Sequence, residues 1–307
     1  MDRILVFTPH EDQDARAIQL ASELARRSGA ALTLLRVLEE GLRWNPQRRA
    51  TDRGQEIRDL LVDVETSELE KLAKPLEEEG LAVDVRVSWG VPFEEITALV
   101  ESRGFDLVVK PARGLNRKGR VFFGSTALHL FRKCPCPVWV VGDDGRSPEK
   151  ILAAIDPADD PARRSVAEQI LRVADRIGSW LDAAVHVGSA WHAPGARALA
   201  GRIERAELKE YLVDTRARSR EMLDAFLEAS QTSIEPDRVH LVEGAARDVL
   251  PQFADENEFD LIVIGTLGRT GIVGQLLGET AEMILREVRC SVLTISPDRS
   301  ESASKRL

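Results

Sequence analysis

The sequence predicts an α/β fold: two tandem flavodoxin-like domains, each a five-stranded parallel sheet of order 3-2-1-4-5. Three observations predict it. First, the chain repeats itself. "FDLVVKPARG" at 105–114 matches "FDLIVIGTLG" at 259–268, an offset of 154, and eleven of the 34 positions in 105–138 are identical in 259–292. A period this long is a duplicated domain. Second, short apolar runs alternate with amphipathic segments, the pattern of parallel strands covered by helices on both faces. Third, the apolar runs are bounded and nearly continuous, as strands buried on both faces require. The halves are 1–143 and 148–297, joined by the polar stretch "GDDGRSPEK" at 142–150.

The elements follow in order. The first strands are Ile4 to Phe7 and Ile151 to Ile155. The helix "DARAIQLASELARRSG" ends in Arg26, Arg27 and Gly29, a basic last turn with a glycine stop. "ALTLLRVL" and "DAAVHVGSAW" are second strands, followed by long charged helices over 54–79 and 200–229. In the first of these, Ile57, Leu60, Leu61 and Val64 recur at helical spacing and are expected to face the core or to line a cavity above strand two. "VDVRVSW" and "DRVHLVEG" are third strands, and "PFEEITALVESR" and "AARDVLPQFADEN" the next helices. "DLVVK" and "DLIVIG" are fourth strands, "STALHLFRK" and "TAEMILREV" the last helices, and "PVWVVG" and "SVLTIS" the fifth strands. Pairing the fifth strands with each other covers two exposed sheet edges, so the halves are expected to form a pseudo-twofold pair within one chain; further homo-oligomers remain open. A ligand belongs at the carboxyl ends of strands one and four, where the strand order reverses.

Composition bounds the function. The net charge of −9 and the single Tyr argue against general nucleic-acid binding. No apolar run has the length of a membrane span, the N-terminus lacks the pattern of a signal peptide, and three cysteines make no disulfide framework, so a cytoplasmic protein is expected. "CPCP" at 134–137 reads as a buried strand entrance with Cys136 and its repeat partner Cys290 packed inside, and no metal is expected. His186 and His240 fall on neighbouring strands and read as a packing pair. No nucleophile elbow, HExxH motif or Walker-A loop is present.

The stretch "GTLGRTGIVGQLLGET" at 265–280 contains five glycines. Gly265, Gly268 and Gly278 are spaced G-x2-G-x9-G after a strand and before a helix. Glycine backbone can approach phosphates closely, and a helix start presents unpaired N–H groups and a positive dipole end.

This loop, its strand and the duplication together resemble the universal stress protein family, and the tandem arrangement resembles its E-type branch. The resemblance covers nearly the whole chain. It implies a stress-response protein rather than an enzyme, with an adenosine phosphate such as ATP or AMP, with Mg²⁺, as the ligand of those members that bind one. Carried onto this chain, it places Asp156 at the end of the first strand facing the nucleotide, Val187 on the adenine side, and Gly265, Gly268 and Gly278 around the phosphates. Glu279 stands where the family has Ser or Thr, with Thr280 beside it. In the first half Gly114, Gly124 and Ser125 fit, but Pro111 replaces the first glycine and Thr8-Pro9 replaces the aspartate, so that site is the weaker one. The basic residues Arg113, Arg117, Lys118 and Arg120 read as a solvated loop or a lure for an anion. At about 6 Å and an effective dielectric of about 20, Glu279 repels a phosphate charge by about 3 kcal/mol. The resulting alternatives are a small-molecule or nucleotide site in the second half, a weak ATP hydrolase using Asp156 and the 265–280 loop, and an interaction scaffold without nucleotide.

Overall fold

A computed structural model describes residues 1–9, 14–39, 52–116, 119–142, 146–158, 160–232, 234–266 and 277–296. The first half runs β1 (Arg3–Phe7), α1 (Asp14–Ser28), β2 (Ala31–Leu38), α2 (Asp52–Glu78), β3 (Val83–Trp89), α3 (Pro92–Arg103), β4 (Leu107–Pro111), α4 (Gly124–Lys133) and β5 (Val138–Val141). The second runs β6 (Lys150–Ala154), α5 (Pro161–Leu181), β7 (Ala184–Trp191), the single turn α6 (Ala196–Leu199), α7 (Arg205–Ala229), β8 (Val239–Glu243), α8 (Ala246–Glu256), β9 (Leu261–Gly265), α9 (Glu279–Glu287) and β10 (Ser291–Ile295).

The strands form one ten-stranded sheet in the order β3-β2-β1-β4-β5-β10-β9-β6-β7-β8. Every pairing is parallel except β5 with β10, where Trp139 stands opposite Leu293 and Val140 opposite Val292. The antiparallel seam lets each half cover the other's open edge, so both fifth strands lie inside the sheet. Gly142 N–H donates to Ser291 Oγ across the seam at 2.9 Å.

Strand alternation divides the core into two layers. Ile4, Val6, Leu34, Val109, Trp139, Val187, Val263 and Leu293 meet α1, α5 and the carboxyl-terminal parts of α2 and α7. Leu5, Phe7, Leu35, Val108, Val140, Leu152, Ile262 and Val292 meet α3, α4, α8 and α9. The repeated aspartate of "FDL" has a structural cause. Asp106 Oδ2 accepts from the N–H groups of Asp2 and Arg3 at 2.6 and 3.0 Å, and Asp260 Oδ2 accepts from Glu149 and Lys150, both at 2.9 Å. In each half one carboxylate ties the entry of the first strand to the fourth.

Two expectations fail here. The apolar stripe of α2 does not face the core: Ile57, Leu60, Leu61 and Val64 are all exposed. The inward side of that segment instead carries Arg58, over the Trp89 ring, and Glu65, bonded to Arg36. The loop after β4 is also not simply solvated. Arg113 N–H donates to Phe122 C=O and Phe122 N–H to Gly114 C=O, both at 2.8 Å, folding it as a hairpin. Its far side reaches the second half: Val121 N–H donates to Val288 C=O at 3.0 Å, and Arg120 Nη1 to Glu287 Oε1 at 2.8 Å. Helix carbonyls beyond the last turn lack intrahelical partners, so the hairpin caps the carboxyl end of α9. Arg117 and Lys118 lie outside the described residues.

Candidate functional site

In the second half, Asp156 follows β6, and its carboxylate is ion-paired with Arg163 in the first turn of α5. Asp160 caps that helix by accepting from Arg163 N–H at 2.9 Å, and Pro161 occupies its first position, where no amide donor is needed. This fixes the start of α5 beside the end of β6. Gly265 ends β9. A Cβ there would meet Val166 Cγ1 at 2.5 Å, so this glycine admits α5 against the sheet. Thr266 N–H donates to Ile295 C=O at 2.9 Å, and Thr266 C=O accepts from Gly278 N–H at 3.1 Å, closing the two ends of the glycine loop. Gly278 caps α9, whose first internal bond runs from Glu282 N–H to Gly278 C=O at 2.9 Å. The N–H groups of Glu279, Thr280 and Ala281 therefore belong to the turn that has no carbonyl of its own helix to bond. Gly268, with the rest of 267–276, lies outside the described residues.

Glu279 is not a lone charge at the crevice mouth. Arg247 Nη1, from the first turn of α8, donates to Glu279 Oε1 at 2.7 Å. The Glu279 side chain is 80% exposed, so water and Arg247 together screen most of the repulsion that sequence reasoning assigned to it. Val187 is a second correction. It is fully buried in the core of the sheet, in the middle of β7, between Ala153 and Val239. Ser189, two residues closer to the strand end and 3% exposed, was not anticipated there. The structure thus brings Asp156, Gly265, Gly278, Glu279 and Thr280 to one end of the sheet and leaves Val187 below it.

The first half is built differently. Thr8 uses both its N–H and its hydroxyl on Leu35 C=O, at 2.8 and 3.1 Å. Arg36, on β2, lies over this turn. Its Nε donates to Thr8 C=O at 3.2 Å, its Nη1 to Glu65 of α2 at 2.7 Å, and its Nη2 is 3.6 Å from Asp14 of α1. The Arg36 side chain is 5% exposed. The repeat partner of Arg36 is Ser189, because Ala31 and Ala184 hold the same register against β1 and β6. Gly114 and Gly124 adopt φ of +99° and +73°, which disfavours any side chain, and Ser125 is exposed at the second position of α4. A Cβ on Gly124 would meet Arg113 Cδ at 2.5 Å. These glycines therefore shape the hairpin and its return.

No group of three or more metal-ligating side chains occurs among the described residues. Cys134 and Cys136 are buried with their sulfurs 3.6 Å apart, and burial pushes the Cys136 thiol well up, aided by Cys134; Cys290 is only half-buried. His186 Nδ1 and His240 Nε2 are 3.0 Å apart in nearly parallel rings, against Phe253 and Phe259. Burial lowers both imidazoles from the ordinary 6.5. For His186, His240 and the cations Lys150 and Arg238 add to this and Asp237 opposes it; for His240, Asp237 opposes it and Lys150 adds to it. A group whose folded pKa is depressed costs stability as it protonates. The full contribution is present above about pH 6.5 and is lost as pH falls through that value towards the lower folded values. The melting temperature is expected to fall between about pH 7.5 and about pH 5.5, and to fall less in His240→Gln. Calorimetry at both pH values checks this; equal slopes in the two proteins would remove the pair as the cause.

No helix of the described residues is long and apolar enough to cross a membrane. The model of the universal stress protein family matches residues 1–142 and 148–296. Universal stress protein E of Escherichia coli (strain K12) is 28% identical over 304 residues, covering 97% of this chain and 95% of that protein. Among solved structures, a functionally unknown protein from Pseudomonas aeruginosa PAO1 is 27% identical with a TM-score of 0.72, covering 97% of this chain and 93% of that one. A universal stress protein from Archaeoglobus fulgidus DSM 4304 shares the fold at 15% identity, with a TM-score of 0.67 and coverage of 96% and 98%.

Proposed function

The chain belongs to the universal stress protein family, in tandem form, and from that premise we propose that it is a non-catalytic, cytoplasmic stress-response protein with one ligand crevice, in its second half, that takes an adenine nucleotide. The observation that carries this reading is the asymmetry of the two crevices. In the first half Arg36, Asp14 and Glu65 fill the end of the sheet from within. In the second, the corresponding position is the small Ser189, Asp156 is exposed, and the first turn of α9 offers backbone donors beside the Thr280 hydroxyl. Two cations, Arg163 and Arg247, stand at the same end, each held by an acidic neighbour that a phosphate could replace. These groups suit a phosphate chain. Asp156 would serve a Mg²⁺ ion or a ribose only after leaving Arg163, which argues against its acting as a ready base for hydrolysis.

Equilibrium dialysis with ATP is expected to give one nucleotide per chain. Glu279→Ser is expected to tighten binding by roughly tenfold, the part of the charge effect that exposure leaves. No binding at millimolar ATP would remove the nucleotide; two nucleotides per chain would remove the asymmetry. Phosphate release abolished by Asp156→Ala would instead establish the alternative, a weak ATP hydrolase.

A further inference from the structure

Glu279 and Arg247 enter the second crevice as a pair. At the repeat offset of 154 their counterparts in the first half are Ser125 and Phe93. Phe93 brings no charge; its ring stacks on His129 with centroids 4.2 Å apart. The acid and the cation thus occur together in the second half, and both are missing from the same positions of the first. The sheet explains how they meet. α8 packs on β7, and α9 starts beside the end of β9, where Gly278 N–H bonds Thr266 C=O. These helix starts stand on either side of the end of β6, because β6 lies between β9 and β7. The 2.7 Å bond from Arg247 Nη1 to Glu279 Oε1 spans that gap. Arg163 comes from α5, which packs on β6 and β9 over the other face of the sheet. Two guanidinium groups therefore flank one strand end from opposite layers.

We propose, resting on the nucleotide reading, that Arg247 makes this crevice select nucleotides by their number of phosphates: it leaves Glu279 for a phosphate beyond the one seated on the first turn of α9. The Glu279 side chain is 80% exposed, so it points away from the helix start, and Arg247 meets the carboxylate at its tip. The guanidinium therefore stands a glutamate side chain's length outward from the N–H groups of Glu279, Thr280 and Ala281. A phosphate on those groups leaves Arg247 for the next one along the chain. AMP has no such phosphate, whereas a di- or triphosphate has. Phosphate oxygens fit the guanidinium fork as carboxylate oxygens do. The Arg247 side chain is itself 45% exposed, so giving up the pair with Glu279 costs little.

A change of partner and simple screening predict opposite couplings. If Arg247 only neutralises Glu279, losing it costs nothing once Glu279 is gone. If it changes partner, removing Glu279 frees it for phosphate, and losing it then costs more. Isothermal titration calorimetry of the full chain with ATP and with AMP separates the two. Arg247→Ala is expected to weaken ATP by about threefold in the unsubstituted chain and by about tenfold or more in Glu279→Gln, while AMP changes by less than about twofold in either. Arg289→Ala is the control. Arg289 Nη1 lies 3.2 Å from Asp255 Oδ2, joining the far ends of α9 and α8 as Arg247 joins their starts, and its loss should leave both affinities unchanged. An unchanged melting curve confirms that each variant is folded. An ATP loss that disappears in Glu279→Gln, an equal loss for AMP, or the same losses in Arg289→Ala overturns the proposal and leaves the nucleotide in place. No binding of either nucleotide to the unsubstituted chain at millimolar concentration removes the nucleotide itself, and the part of Arg247 with it.

Discussion

Arg36→Ala is expected to destabilise the first half by about 3–5 kcal/mol, the cost of breaking a buried ion-pair cluster from one side. For a unit of this size that lowers the melting temperature by roughly 10 °C. Arg36 lies between Asp14 of α1 and Glu65 of α2, and it also donates to Thr8 C=O. Truncation removes all three interactions and leaves two carboxylates crowded against the strand ends. The loss should be charge-specific. Adding Asp14→Asn and Glu65→Gln to Arg36→Ala is expected to recover more than half of it, because neutral amides tolerate the site better than carboxylates that have lost this cation. Thermal or urea unfolding of the single and triple variants decides the matter. A loss below about 1 kcal/mol in Arg36→Ala would mean that water reaches the cluster and that the first crevice is not closed from within.

The strand and helix pattern was legible because it is local. Periodicity placed β2, β3 and α3 at their observed bounds, and the repeat predicted the fifth-strand seam. The site was legible only in part, because its charges are balanced by residues far away in sequence. Glu279 looked unpaired since its partner, Arg247, is 32 positions earlier on another helix. Arg36 looked like an ordinary strand residue in "ALTLLRVL", since its partners lie 22 residues before and 29 after it. One signal was present: a strand buried on both faces has no cheap place for a guanidinium, so Arg36 implied a buried acid. The α2 stripe misled for the opposite reason. Helical spacing locates a face, but it does not say what covers that face.

Gly265 separates two meanings of a glycine motif. If the glycine serves only a ligand, Gly265→Ala changes affinity and not stability. The geometry predicts otherwise. The added methyl would stand 2.5 Å from Val166 Cγ1 and 3.5 Å from Ile170 Cδ1, both on α5, and a β-branched side chain in a helix has almost no other rotamer to take. Overpacking of this kind costs roughly 1–3 kcal/mol. Val166→Ala makes the space, so in a double-mutant cycle the two substitutions should couple favourably by about 1 kcal/mol or more. The same cycle reports on the ligand. Arg163 lies one turn before Val166, and pushing α5 away from the sheet moves the Arg163–Asp156 pair at the crevice. Nucleotide affinity should therefore fall in Gly265→Ala and return in the double variant. Stability restored without affinity would show that the methyl obstructs the ligand itself. No loss of either would show that α5 yields, and that Gly265 is not what admits the helix.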